Sequence, residues 1–134
     1  MTKATKYNIL TLLFVLCSAV LQAQDKELAV TADSYFKAKQ FRQASWQYAQ
    51  LVSNHPGDSR YEYLYGVSRV MSGVNVADAI KHLEKASMDA NTPKDVYYYL
   101  GVAYQLTYDF DQSMRSFQIF KKYNRNVNVA VFYT

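Results

Sequence analysis

The feature that most constrains the fold of this 134-residue chain is an internal repeat of 34 or 35 residues. Small residues recur at this interval in two series, and large apolar residues keep the same interval. The small residues are Ala32, Gly66 and Gly101, then Ala44, Ala79 and Ser113; the large residues are Tyr48, Leu83 and Phe117. A repeat of this length indicates a stacked array of supersecondary units, because one unit cannot bury its apolar face alone.

Each repeat unit is predicted to form two helices joined by a short turn. Apolar residues recur at helical spacing, and turn-forming residues separate the segments. Asp58 follows a proline-containing turn and is predicted to cap the next helix, as is Asp109 with Gln112 three residues on. Thr92 before Pro93 is expected to cap the fifth helix. The predicted helices are residues 26–39, 41–54, 60–72, 76–90, 93–106 and 110–123.

The aligned positions resemble the tetratricopeptide repeat, whose pattern runs W-x2-L-G-x2-Y, then A-x3-F, then P. The third unit carries this pattern as Tyr97, Leu100, Gly101, Tyr104, Ser113 and Phe117. The first unit carries it as Ala32, Tyr35, Ala44, Tyr48 and Pro56, and the middle unit more loosely as Tyr65, Gly66, Arg69, Ala79 and Leu83. The resemblance covers residues 25–124. It implies an all-α fold in which three antiparallel helix pairs stack as a short right-handed solenoid.

The amino end has the three-part layout of a secretory signal peptide. A short basic segment with Lys3 and Lys6 precedes an apolar run over residues 9–21, and Ala23 lies just before the first acidic residue, Asp25. Cleavage after Ala23 gives a signal peptide over 1–23, a repeat domain over 24–124 and a tail over 125–134, with no membrane span left. An uncleaved anchor is the alternative. The layout predicts export.

The charge balance argues against nucleic acid as a partner. The chain has 15 Lys and Arg against 11 Asp and Glu, and removal of Lys3 and Lys6 with the signal leaves 13 against 11. So small an excess does not form a basic footprint. The single cysteine, Cys17, lies within the signal. The mature chain is therefore expected to have neither a disulfide nor a thiolate metal site.

The sequence does not predict catalysis. Only His55, in a turn, and His82, on a predicted helix, are bases near neutral pH, and both are expected to be at least partly solvated. The sequence contains no H-E-x-x-H or G-x-S-x-G motif, no phosphate-binding glycine loop and no clustered metal ligands. We therefore expect no enzyme activity, no cofactor and no metal.

The resemblance places a partner-binding groove on the first helix of each pair. Its groove-facing places are Tyr63, Val67, Val70 and Met71 in the second unit and Tyr98, Val102, Gln105 and Leu106 in the third. In the first unit they are Ala29, Asp33, Phe36 and Lys37. Some family members hold a partner's carboxylate with Lys and Asn at the places of Ala29 and Asp33, so an apolar or aromatic peptide is expected instead. Ordinary packing between helices is the alternative role.

The carboxyl end of the array suggests an alternative function. Phe117 and Phe120 are expected to face outward, and either residues 125–134 or a partner would cover them. Residues 93–111 are similar to repeats of Gram-negative outer-membrane-associated proteins that continue into propeller and OmpA-like domains. This resemblance implies that the exported protein is periplasmic or associated with the outer membrane. The expected function is a protein-protein interaction scaffold in the bacterial envelope. The alternative is a structural or anchoring module of a longer outer-membrane-associated or secretion-system protein, which assembles through this exposed end.

Overall fold

The computed structural model describes residues 2–124, and regular structure in that range is entirely helical. The helices there are α1 (Lys3–Lys37), α2 (Phe41–Asn54), α3 (Ser59–Ser72), α4 (Val76–Ser87), α5 (Val96–Leu106) and α6 (Phe110–Tyr123). The bounds of α2 and α6 are those predicted. The start of α3 is one residue early, α4 ends three residues early and α5 begins three residues late.

Consecutive helices pack against each other and form three antiparallel pairs, α1 with α2, α3 with α4, and α5 with α6. The pairs stack through contacts of α2 with α3 and of α4 with α5. Two apolar cores result. The first contains Ala32, Ala44, Tyr48, Leu51 and Tyr65. The second contains Val67, Val70, Ala79, Leu83, Val96, Leu100 and Ala103. The fold is therefore the helical solenoid that the repeat predicts.

The small residues of the repeat lie where the two helices of a pair touch. A Cβ atom on Gly66 would stand 2.5 Å from Cγ of Leu83, and one on Gly101 would stand 2.5 Å from Cε1 of Phe117. Carbon atoms in favourable contact are about 3.5–4.0 Å apart. Glycine therefore permits the close approach of the helices, and the repeat interval reflects this contact.

Phe117 is buried, which corrects the expectation that it faces outward. Its side chain is 0 % exposed and packs on Gly101, and the ring of Tyr98 lies 6.1 Å away between centroids. Phe120 is half-buried, at 5.6 Å from the ring of Tyr98. The reason is that this face of α6 packs on α5, the other helix of its own pair. The prediction about residues 125–134 lies outside the described residues.

Two of the predicted helix caps are confirmed. The Asp58 carboxylate accepts hydrogen bonds from the backbone N–H groups of Arg60 and Tyr61, at 3.0 and 3.2 Å. Asp109 accepts one from the N–H of Gln112 at 3.2 Å. These acceptors satisfy N–H groups that the first turn of a helix leaves without an intrahelical partner. The sequence pattern at both helix starts is therefore a reliable signal.

The predicted cap at Thr92 is wrong. Its hydroxyl donates instead to the backbone carbonyl of Ala86, at 2.7 Å, and α5 begins only at Val96. The Ala86 carbonyl lies in the last turn of α4 and also accepts a hydrogen bond from the backbone N–H of Asp89 at 3.1 Å, so the Thr92 hydroxyl is its second donor. Thr92 therefore stabilises the end of α4 rather than the start of α5.

α1 is much longer than predicted. It runs without interruption from Lys3 to Lys37, because no proline or glycine breaks this stretch. Residues 3–23 are exposed throughout, and packing into the first core begins near Leu28. Among the described residues, α1 is the helix long and apolar enough to cross a membrane by length and composition, which is compatible with a signal sequence near the amino terminus. A chain beginning at Gln24 keeps every side chain of both cores.

Candidate binding cleft

The eight residues predicted to line a groove do not share one surface. Val67 and Val70 are 1 % and 5 % exposed, and they belong to the second core together with Val96 and Leu100 of α5. They cannot contact a partner, which corrects the prediction for these two residues. The physical reason is that the third helix pair stacks on this face of α3.

The other six residues are distributed over three places. Half-buried positions along α5 are occupied by Tyr98, Val102 and Gln105. The repeat interval aligns these three α5 residues with Tyr63, Val67 and Val70 on α3. Exposed positions near the carboxyl ends of α3 and α5 are occupied by Met71 and Leu106. Of the eight residues, Tyr63 alone lines the cleft that we regard as the candidate site.

A cleft of about 460 Å³ opens between α1, α3 and the connection from α4 to α5. This volume is within the range typical of ligand pockets. Its apolar surface comes from one or two side chains of each neighbouring segment, with charged groups among them. The lining residues are Asp33, Phe36, Lys37, Tyr48, Ser59, Arg60, Tyr63, Leu64, Asn91, Thr92 and Pro93. Three of the four first-unit groove positions, Asp33, Phe36 and Lys37, therefore lie in this cleft.

Tyr48, Asp33 and Arg60 form a fixed polar network at the cleft. The Tyr48 hydroxyl donates to Oδ1 of Asp33 at 2.6 Å, and Nη2 of Arg60 donates to Oδ2 at 2.7 Å. Burial, together with the neighbouring Asp33 carboxylate, raises the pKa of Tyr48 far above its usual value. Tyr48 therefore remains a neutral donor. Both carboxylate oxygens of Asp33 have a donor, so its negative charge is compensated before any ligand arrives.

Tyr63 joins α3 to the start of α5. Its hydroxyl donates to Oδ1 of Asp95 at 2.8 Å, and its ring meets the ring of Tyr99 edge to face, with centroids 6.4 Å apart. Burial and the hydrogen bond to Asp95 raise the pKa of Tyr63 well above the usual range. The side chain is therefore neutral and held at both ends. A rigid aromatic wall of this kind costs a ligand little ordering of the protein.

The edge of the cleft carries positive charge. Lys37 is exposed and forms no ion pair within residues 2–124, whereas Arg60 is engaged with Asp33. The guanidinium carbon of Arg60 also lies 5.4 Å from the ring centroid of Tyr61. An apolar cleft with a cationic edge suits an apolar side chain that has an acidic neighbour.

A buried charge cluster lies elsewhere, between α3 and α4. Glu62 is 1 % exposed and accepts hydrogen bonds from Nδ1 of His82 and Nζ of Lys85, each at 2.5 Å. Burial by itself raises the pKa of Glu62, but the hydrogen bonds from Lys85 and His82 outweigh it and lower that pKa. The cluster is outside the cleft lining, and its contacts stabilise the packing of α3 on α4.

Neither histidine is a freely solvated base. His82 contacts Glu62, and Nε2 of His55 lies 2.8 Å from Oδ2 of Asp25, which ties the turn after α2 to α1. His55 also lies beside the ring of Tyr61, at 5.7 Å between centroids. Residues 2–124 contain no group of three side chains suited to hold a metal ion.

Sequence reasoning missed most of the cleft. The groove pattern includes only certain positions on the first helix of each pair. It therefore leaves out Tyr48 on α2, Arg60 at the start of α3 and Asn91 in the loop between α4 and α5. Arg60 and Asp33 are separated by 27 residues, so no local pattern shows that they pair. The sequence offers one weak signal for this ion pair: Arg60 lies one position after a helix start, and Asp33 is an acidic residue in the preceding repeat.

Comparison with known proteins identifies part of the array. Residues 95–126, which include α5 and α6, match the family described as tetratricopeptide repeat. This is the unit whose sequence follows the repeat pattern most fully. No curated protein matches the chain.

Proposed function

We propose that this chain, which carries a tetratricopeptide repeat over residues 95–126, is a protein-protein interaction scaffold of the bacterial envelope that binds a partner segment in the cleft. Tetratricopeptide repeats generally mediate protein-protein interaction and are generally non-catalytic. The observation that carries the proposal is the cleft itself, in which Phe36, Tyr63 and Leu64 present apolar surface beside two cations. We accordingly propose no enzyme activity.

The chemistry of the cleft favours one kind of segment. An apolar or aromatic side chain would bury its surface against Phe36, Leu64 and Pro93, which supplies most of the affinity in such sites. An acidic residue beside it would meet Lys37 and the outer face of Arg60. Because both cations are partly exposed, the acidic contact adds orientation and association rate more than affinity.

The envelope location is supported by the amino-terminal segment. Residues 3–23 form an exposed apolar helix that adds nothing to either core, which is the behaviour expected of a removable signal sequence. The similarity of residues 93–111 to repeats of outer-membrane-associated proteins points the same way. We propose the periplasm or the outer membrane as the place of action.

A cleft-filling substitution tests the site without disturbing a core. Asn91 is an exposed residue at the edge of the cleft, so Asn91→Trp would occupy the space with little effect on folding. Lys81→Trp on α4 is the matched control, because Lys81 is exposed and does not line the cleft. The chain is immobilised and incubated with solubilised envelope proteins, and the captured proteins are identified. We expect a partner that both wild type and Lys81→Trp capture and Asn91→Trp loses.

Two further variants define the contact. Lys37→Glu should weaken capture of the same partner, and Tyr63→Ala should weaken it more, because aromatic anchors commonly contribute about 2 kcal/mol or more. Circular dichroism must first show that each variant retains its helices, since Tyr63 also packs on α5. Equal capture by wild type and by folded Asn91→Trp and Tyr63→Ala would reject the cleft as the binding site.

A further inference from the structure

The side-chain contacts of α1 divide this helix at Gln24. Within the described part of the chain up to that residue, side-chain hydrogen bonds stay inside the amino-terminal segment. Asp25 is the first residue whose side chain is bonded to another segment. Its Oδ1 accepts a hydrogen bond from Nδ2 of Asn54 at 2.8 Å, and its Oδ2 lies 2.8 Å from Nε2 of His55. The part of α1 that is bonded to the end of α2 therefore begins directly after Gln24, where the sequence predicts removal of the signal.

Cleavage after Ala23 would change the chemistry of the Gln24 nitrogen. In the uncleaved chain this atom is a peptide nitrogen, whose lone pair is delocalised into the carbonyl group. In the cleaved chain it is an α-amino group. Such a group has a pKa of about 8, so about a tenth of the molecules carry it as the neutral, nucleophilic amine at pH 7. Cleavage therefore creates a nucleophile in a residue whose own side chain ends in a carboxamide.

The surroundings of Gln24 allow these two groups to meet. The Gln24 side chain is exposed and lies at a pocket that Gln50 and Asn54 also line. Because Asp25 is bonded through both carboxylate oxygens, the chain is anchored from that residue onwards, and only Gln24 extends beyond the anchor. Its side chain can therefore rotate without displacing a packed group. Two reactive groups of one residue also have a high effective concentration for each other.

We propose that Gln24, as the first residue of the mature chain, is converted to pyroglutamate. This proposal rests on the export proposed above. The α-amino nitrogen forms a bond to Cδ of the same residue, and the bond from Cδ to Nε2 breaks. The side-chain nitrogen takes up one proton from the attacking amine and leaves as ammonia. The step consumes no oxidant, reductant or other co-reactant, and its product is a neutral five-membered lactam.

The lactam protects the contact that anchors the mature amino terminus. An aminopeptidase needs a free α-amino group, and pyroglutamate has none. Trimming of Gln24 and Asp25 would remove the carboxylate that Asn54 and His55 contact. The lactam also carries no positive charge, which the N-terminus of a helix disfavours. The modification therefore gives α1 of the mature chain a protected and uncharged start.

Mass spectrometry of the protein from the envelope fraction of expressing cells tests the proposal. Digestion after arginine gives an amino-terminal peptide of residues 24–42. We expect most of this peptide to be lighter than the unmodified sequence by the mass of ammonia, about 17 Da, with fragment ions that place the loss at Gln24. An isotope-labelled synthetic peptide of the same sequence, with a free amino-terminal glutamine, is added at lysis. It should keep its ammonia.

Gln24→Glu is the matched control, because an ionised carboxylate is a poor acceptor for the amine, and this variant should keep a free amino terminus. A wild-type peptide that begins at Gln24 with a free amine would overturn the modification and leave the proposed export intact. Equal loss of ammonia from the labelled peptide would also overturn it, since the ring would then form during handling. A chain that keeps residues 1–23, or begins at another residue, would contradict the cleavage itself and this proposal with it.

Discussion

Replacement of Gly101 with alanine tests the helix contact on which the third repeat depends. The new Cβ atom would stand 2.5, 2.6 and 2.7 Å from three ring atoms of Phe117. Those atoms would have to move by about 1 Å to reach ordinary contact. Phe117 is fully buried, and Ser113 is hydrogen-bonded to the Gly101 carbonyl at 2.8 Å, so the ring has little room to move.

Two effects of opposite sign decide the outcome of Gly101→Ala. Alanine is favoured over glycine inside a helix by about 0.5–1 kcal/mol. Overpacking a core by a methyl group costs about 1–3 kcal/mol. We expect the steric effect to dominate, with a net loss of about 1–2 kcal/mol in the free energy of unfolding. For a domain of this size, that loss lowers the Tm by roughly 4–15 °C.

Thermal unfolding followed by circular dichroism at 222 nm measures this loss. The double variant Gly101→Ala with Phe117→Leu is the control for mechanism, because leucine removes the ring atoms that the new methyl group meets. The loss in the double variant should be smaller than the sum of the two single losses, by about 0.5 kcal/mol or more. A neutral or stabilising Gly101→Ala, or strictly additive losses, would refute the proposed packing of α5 on α6.

Three further predictions concern other parts of the molecule. The lowered pKa of Glu62 means that its contribution to stability is present above the unfolded pKa, near 4.5, and disappears as the pH falls through the lower folded pKa. Glu62→Gln should therefore destabilise the fold at pH 7 by about 2 kcal/mol or more and flatten the acid side of the stability profile, which urea unfolding at several pH values checks. Asp58→Ala should cost about 1 kcal/mol through loss of the α3 cap, measured in the same assay, whereas an unchanged stability would contradict the observed hydrogen bonds. Mass spectrometry of the protein from an envelope fraction should find an amino terminus near Gln24, and a full-length cytosolic product would contradict export.

The sequence predicted the helices well because their signals are local. Asp58 and Asp109 have the side chains that cap a helix start, and Gly66 and Gly101 lie at the repeat interval where helices must approach closely. Apolar spacing within one segment is sufficient to define the buried face of α2 or α6. The order of the helices and their pairing follow from the short turns between them.

Predictions that depended on contacts with another helix were less successful. Val67 and Val70 have the same spacing whether they face a partner or the next helix pair, and only stacking distinguishes the two. Phe117 is expected from the sequence to face outward because no later helix is predicted after α6, although the other helix of its own pair buries it. Thr92 has the sequence context of a cap but donates to α4 instead. In each case a tertiary contact outweighed the local pattern.

The cleft and the buried charge cluster could not be found from sequence alone. Glu62 is separated from His82 and Lys85 by 20 and 23 residues, and it lies on a face of α3 that sequence spacing does not mark as apolar. Asp33 meets Tyr48 when α1 pairs with α2, and it meets Arg60 only after the second pair stacks on the first. Pairing of charges across repeats requires the three-dimensional register, which apolar periodicity does not specify.

Site-specific photocrosslinking in living cells that express the chain tests the central claim most directly. A photoreactive phenylalanine derivative is placed at Lys37 in the cleft, at Lys81 on α4 and at Phe110 at the start of α6, all three being exposed positions. The account predicts that the Lys37 position crosslinks to a partner protein, that Asn91→Trp abolishes this product, and that the Lys81 position gives no such product. A partner that crosslinks from Lys81 or Phe110 but not from Lys37, or a Lys37 product that persists with Asn91→Trp, would contradict binding in the cleft.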